Sequence, residues 1–300
     1  MYQDSPNFVG EVGDAIILAG GMGTRMLPAS LYVPKETLPL VDTPLINHLI
    51  WEAAKAGVRR VHLVLSERKR EILGDFLEGG TIHGEEIRID LPRDALSLGT
   101  NEIEIVPHIQ TNPGGVGDAI SVALEHISGP FLVLLGDMIL AERHCSPNFS
   151  GVGFASSASL KLVSKFEKSG LPCVGIYPVG PDLLSNYGVV ELLGDMVVEI
   201  VEKPEISQAP SEYVLCGRYL LPDSTLGILN SMPISEFGEM QSIYLLNHLI
   251  DSVGLQAVNL ENMDMYDSGD PISWLKAQID HSLKRKDISK EISDWIRDRM

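Results

Sequence analysis

An α/β fold is predicted for this chain: a mostly parallel sheet flanked by helices, running into a mixed-sheet second half. Three observations predict it. Short apolar runs alternate with helix-period stretches through the first 140 residues, the connections between them are short, and after Asp137 the pattern changes, with a hairpin signal at Gly194-Asp195. Strands alternating with helices imply right-handed crossovers and a sheet covered on both faces.

Residues 15–18 are an apolar run ending in a glycine-rich turn, as expected of a parallel strand that delivers its carboxyl end to a loop. Pro44 opens a helix in which Leu45, Ile46, Leu49, Ile50, Ala53 and Ala54 share one face, and Gly57 follows as its C-cap. A strand at 61–65, a charged helix at 67–77, a glycine-containing loop and a strand at 103–106 come next. A helix at 116–126 and a strand at Phe131–Leu135 complete the first half. In the second half, 188–192 and 196–201 flank Gly194-Asp195 as a hairpin, and Tyr213–Leu221 reads as a further strand. Helices at 239–252 and 271–283 precede a charged segment whose Ile288, Ile292 and Trp295 form a docking stripe. The expected organisation is a tail at 1–13 and one domain at 14–285, with halves of about 14–140 and 141–285. A C-terminal helical segment at 286–300 follows.

Composition narrows the function. Among 300 residues, 41 acidic against 23 basic side chains give a formal charge of -18, which opposes a broad nucleic-acid or anionic-membrane surface. An anionic ligand would need a small local site. No apolar stretch reaches the roughly 18 residues of a membrane span, and the first residues carry acids without a basic, apolar export signal, so a cytoplasmic protein is expected. Cys145, Cys173 and Cys216 lack CxxC spacing and read as reduced core residues; the eight histidines form no sequence cluster.

The loop at 19–28, AGGMGTRMLP, carries the chemistry. Gly20, Gly21 and Gly23 can present backbone N–H groups to phosphate oxygens, and Arg25 adds a guanidinium fork. Met26 stands where a dinucleotide fingerprint needs its third glycine, and no Gly-Lys step exists to make a P-loop.

From 14 to 56 the sequence resembles the sugar-1-phosphate nucleotidyltransferases, most closely the UTP:glucose-1-phosphate uridylyltransferases. Gly23-Thr24-Arg25, Pro34-Lys35, Glu36, Leu38-Pro39 and Asp42-x-Pro44 follow in that family's spacing, and later motifs extend the match to about residue 280. The resemblance implies a Rossmann-like sheet of the nucleotide-diphospho-sugar transferase type. It implies an enzyme joining a nucleoside triphosphate, UTP favoured, to a hexose 1-phosphate, with Mg²⁺ and as a homo-oligomer. In that reading Leu18, Ala19, Gly20, Gly21, Gly23 and Thr24 wrap the nucleotide. Arg25 and Lys35 neutralise the transferred and leaving phosphates.

Gln110 and Gly115, in a segment similar to the family's base-reading stretch, would meet the pyrimidine; a glutamine amide offers one donor group and one acceptor to an imide edge. Asp118 stands where these relatives usually carry histidine. Gly136-Asp137 and Tyr266-Asp267-Ser268-Gly269 resemble the family's metal motifs, so Asp137 and Asp267 would hold Mg²⁺. Gly188, Glu202, Lys203 and Gly217 fall in segments that resemble the family's sugar-site motifs, which implies that they bind the sugar and that Lys203 faces the sugar phosphate. Ser242, Ile243 and Tyr244 replace the family's usual continuation, and Gly21 matches the thymidylyltransferase form of the loop. The alternatives are therefore the same reaction with dTTP or another sugar phosphate, and a non-catalytic nucleotide-sugar-binding regulator.

Overall fold

The computed structural model describes residues 10–73, 103–111, 114–145, 154–231 and 242–300. A nine-stranded sheet dominates it. Its strands are β1 (Asp14–Leu18), β4 (Arg60–Leu65), β5 (Glu104–Ile109), β6 (Phe131–Leu135), β8 (Cys173–Pro178), β9 (Gly188–Leu193), β10 (Met196–Glu202), β11 (Tyr213–Leu221) and β12 (Gln256–Asn259). Spatial order is β5-β4-β1-β6-β11-β8-β12-β10-β9. The first four strands are parallel, as the alternation predicts. From β11 onward the sheet is mixed: β11 runs antiparallel to β6 and β8, β12 parallel to β8, and β9 and β10 form the expected hairpin. Two ribbons stand apart, β2 (Pro39–Leu40) with β3 (Thr43–Pro44) and β7 (Met138–Ala141) with β13 (Asp264–Asp267).

The period-2 alternation of a doubly buried strand divides the core. Ala15, Ile17, Leu63, Leu65, Leu132 and Leu134 face one side, against α1 (Leu45–Lys55) and α4 (Ala158–Ser169). Ile16, Val64 and Val133 face the other, against α3 (Gly115–Leu124) and α6 (Ser242–Ser252). Helices α2 (Glu67–Ile72), α5 (Thr225–Asn230), α7 (Pro271–Lys284) and α8 (Ser289–Arg297) complete the set.

Several expectations change. The predicted helix at 67–77 spans Glu67–Ile72 with Leu73 as its C-cap, and residues 74–77, like 239–241 of the later predicted helix, lie outside the described residues. The pair β7–β13, helix α4, and strands β8 and β12 were not expected, because each is short or gains its partner from far along the chain. The C-terminal stripe docks only in part: α8 packs along α7 with Ile288 and Ile292 half-buried, but none of its residues is fully buried and Trp295 is 54% exposed. Cys173 and Cys216 are buried, whereas Cys145 is only half-buried. Histidines scattered in sequence meet in space, His62 with His108 at 2.8 Å and His144 with His281 at 2.9 Å.

Candidate active site

Four strand ends converge at the carboxyl edge of the parallel half. The segments leaving them are tied by backbone hydrogen bonds: Ala19 N–H donates to Val64 O (2.9 Å), Gly136 N–H to Leu18 O (3.0 Å) and Gln110 N–H to Leu65 O (2.8 Å). This is where open α/β sheets take ligands. A Cβ on Gly136 would lie 2.5 Å from the Leu18 carbonyl oxygen, so the step before Asp137 tolerates no side chain. A Cβ on Gly20 would lie 2.9 Å from Gln110 Oε1, so glycine lets the loop pass against that amide.

A cavity of about 410 Å³ opens at this edge. Leu18, Gly20, Gly21, Lys35 and Asp137 line it together with Gln110, Gly115, Glu202 and Lys203. Ala19 is buried behind the loop, and Gly23 sits in the left-handed region (φ +67°) where the turn Thr24–Met26 begins. Thr24 and Arg25 are exposed beyond the cavity. Arg25 still belongs to the site's rim, since a Cβ on Gly269 would meet its Nη2 at 2.7 Å and Asp267 Oδ1 at 2.9 Å.

Lys35 Nζ donates to Asp137 Oδ2. Burial opposes both charges, yet the pairing prevails: it raises Lys35 above the usual lysine value and holds Asp137 below the usual carboxylate range. Behind them Lys69 Nζ donates to Ala19 O (2.6 Å) and to both oxygens of Glu36 (2.7 and 3.0 Å). Here burial dominates, pushing Glu36 up and Lys69 down. This pair clamps the first residue of the glycine loop. The sequence reading missed Lys69 because it sits in the charged run ERKRE, where nothing distinguishes a buried lysine from solvated neighbours.

The mixed half also contributes to the cavity, through Glu202 and Lys203. Glu202 closes β10 in register with Gly188 of β9, and a Cβ at Gly188 would stand 3.1 Å from Glu202 Oε2. Lys203 follows with its Nζ 3.5 Å from Glu202 Oε1. Gly217 occupies an irregularity of β11 at φ +69° and packs on Leu135, a cavity wall. Ser242 and Ile243, from the stretch that departs from the family pattern, also line the cavity.

Asp267 reaches the site through the β7–β13 ribbon. It pairs in register with Met138, and Ser268 N–H and Oγ–H both donate to Asp137 O (2.9 and 2.8 Å). Tyr187 Oη–H donates to Asp267 Oδ2 (3.0 Å), while Oδ1 accepts from Gly269 N–H (2.7 Å). Burial, and then the Asp267 carboxylate, push the Tyr187 phenol up, keeping it a donor. Among the described residues no three His, Cys, Asp or Glu side chains gather as a metal cage. Two carboxylates on neighbouring segments nonetheless suit Mg²⁺, which keeps waters and takes substrate phosphates for the rest of its octahedron.

The profile of the family described as "Nucleotidyl transferase" matches residues 14–281. The chain belongs to the nucleotidyl transferase family. It is 32% identical to UTP--glucose-1-phosphate uridylyltransferase 1 of Staphylococcus saprophyticus, over 96% of this chain and 98% of that one. It is 30% identical to UTP--glucose-1-phosphate uridylyltransferase YngB of Bacillus subtilis, over 96% and 95%. Among solved structures, a UDP-glucose pyrophosphorylase from Acinetobacter baumannii superposes with a TM-score of 0.80 at 25% identity, covering 97% of this chain and 100% of that one. Another, complexed with UDP-glucose, gives a TM-score of 0.77 at 27% identity, over 92% and 100%. As a nucleotidyl transferase, the chain carries its glycine loop, Lys35, Asp137 and Lys203 on one cavity.

Proposed function

We propose that this nucleotidyl transferase joins UTP to glucose 1-phosphate, giving UDP-glucose and pyrophosphate. The observation that carries the reading is that Gly20 and Gly21 of the glycine loop, Lys35, Glu202 and Lys203 line the same cavity. Relatives named for this reaction support it over nearly the whole chain.

An oxygen of the sugar phosphate attacks the α-phosphorus of the triphosphate in line, the new P–O bond forming as the bond to pyrophosphate breaks. No protein nucleophile is needed. The chain's task is to hold two anions at reacting distance and spread the charge of the transition state. Lys203 holds the attacking phosphate and Glu202 accepts from sugar hydroxyls. Arg25 and Lys35 steady the triphosphate, and the backbone of Gly20, Gly21 and Gly23 cradles it. Gln110 and Gly115 face the base beside the apolar walls Leu18, Val116 and Ala119. Asp137 and Asp267 would hold Mg²⁺, which supplies charge neutralisation to the phosphates when bound. The protein acts in the cytoplasm as a homo-oligomer, with residues 14–285 as its one domain.

The test is pyrophosphate release by purified protein across four nucleoside triphosphates and several sugar 1-phosphates, with identification of the nucleotide sugar. UTP with glucose 1-phosphate is expected to turn over fastest. Preference for dTTP would move the assignment to a thymidylyltransferase, and binding of UDP-glucose without turnover of any pair would leave a regulator.

A further inference from the structure

Gln110 is not free to present either end of its amide. Its Nε2 donates to Asp118 Oδ2 at 2.6 Å and to Gly115 O at 3.3 Å, so both N–H bonds are spent. Its Oε1 is the atom that a Cβ on Gly20 would meet at 2.9 Å, and Gly20 and Gln110 both line the cavity. An ionised carboxylate only accepts hydrogen bonds. Turning the amide over would set Oε1 against Asp118 Oδ2, two acceptors face to face. Asp118 itself is held, since it stands in the first turn of α3, where a negative side chain suits the helix end, and packs on Gly114.

We propose, resting on the reading of UTP as substrate, that Asp118 is a positioning residue that locks the Gln110 amide with Oε1 toward the base. Gln110 then offers the base edge its Oε1 acceptor and no N–H donor. An imide such as uracil or thymine donates its ring N–H to that acceptor. Cytosine has no hydrogen on the corresponding nitrogen and would set lone pair against lone pair. Asp118 therefore selects among pyrimidines without touching the nucleotide.

Asp118→Asn tests this with minimal change of shape. An asparagine can accept from Gln110 or donate to it, so the amide gains a second orientation that presents N–H to the cavity. Gly114→Ala tests it independently: the added Cβ would lie 2.8 Å from Asp118 Cγ and displace the carboxylate while leaving both partners chemically intact. Initial rates and binding would be measured with the Mg²⁺ complexes of UTP and CTP. The ratio of kcat/KM for CTP to that for UTP is expected to rise roughly tenfold or more in both variants, the scale of one hydrogen bond made or lost. The change should fall on KM for the triphosphate and spare KM for glucose 1-phosphate. An unchanged ratio in a variant with wild-type circular dichroism would overturn the proposal, because a carboxylate that only stabilises the helix end would alter melting and not base choice. Wild-type protein that binds CTP as tightly as UTP would overturn it too, even if neither variant folds. Wild-type protein that neither binds nor turns over UTP would instead remove the substrate reading on which the proposal stands.

Discussion

Lys203 holds a backbone conformation (φ +46°) that residues with a Cβ seldom adopt, directly before Pro204, and its N–H donates to Tyr187 O at 3.0 Å. Such strain costs on the order of 1 kcal/mol and persists where surrounding structure enforces it. Replacing the side chain by alanine should lower kcat/KM about a hundredfold, the loss of one transition-state charge contact worth about 3 kcal/mol. The UTP dissociation constant should move only a few-fold; equal loss of both would indicate damage to the fold. Asp137→Asn and Asp267→Asn should each abolish Mg²⁺-dependent turnover, and the double variant should be little worse than either, since one ion needs both carboxylates. Fully additive losses in single-turnover rate would separate the two acids. Motif spacing made these residues legible because chemistry restricts the residue type at each place. Lys69, and the pairing of Tyr187 with Asp267, were hidden for the opposite reason: the partners Glu36 and Asp267 are 33 and 80 residues away, and only packing brings them together.

At the level of elements, one buried ion pair joins both halves. Arg218 of β11 is fully buried and donates to Glu52 of α1 through Nε (2.7 Å) and Nη2 (2.9 Å), and to Met138 O of β7 (2.9 Å). Ser159 of α4 adds its N–H and hydroxyl to Glu52 Oε1. Removing one partner of such a pair leaves an uncompensated buried charge, at a cost of roughly 3–5 kcal/mol. Glu52→Ala should therefore lower the melting temperature by about 10 °C, read by thermal denaturation; a shift within error would mean that water reaches the site. This pair was invisible in the sequence, although Gly217, the residue before Arg218, falls in one of the sugar-site motifs. The strands at 15–18, 61–65 and 131–135 were legible because burial on both faces demands continuous apolar runs. The ribbon β7–β13 was not, because four-residue strands joined across more than 120 positions carry no local period.

Over the whole molecule, acid should act through histidine. Burial, with His48 and His144 nearby, pushes His281 down to about 3, and burial pushes His48 down to about 4, against an ordinary 6.5. Unfolded chains bind these protons below pH 6.5 while the folded state does not, so stability present above 6.5 is lost as pH falls toward 4. Each residue can contribute a slope of up to about 1.4 kcal/mol per pH unit. Urea denaturation across pH 7 to 4.5 should show the decline, and His281→Gln should flatten it; an identical slope in that variant would place the acid sensitivity elsewhere. Strand order carries a further consequence, for biosynthesis. On the side away from β1, β6 is covered by β11, yet β6 ends at Leu135 and β11 begins only at Tyr213. At translation rates of about 5–20 residues per second, its apolar edge waits roughly 4–16 s for its cover. An open edge of unpaired N–H and C=O groups is a template for foreign strands. Ribosome-held chains halted after β6 should thus remain protease-sensitive and chaperone-bound, and those extended past β11 should not: the nucleotide half is written first but is sealed by a strand from the sugar half.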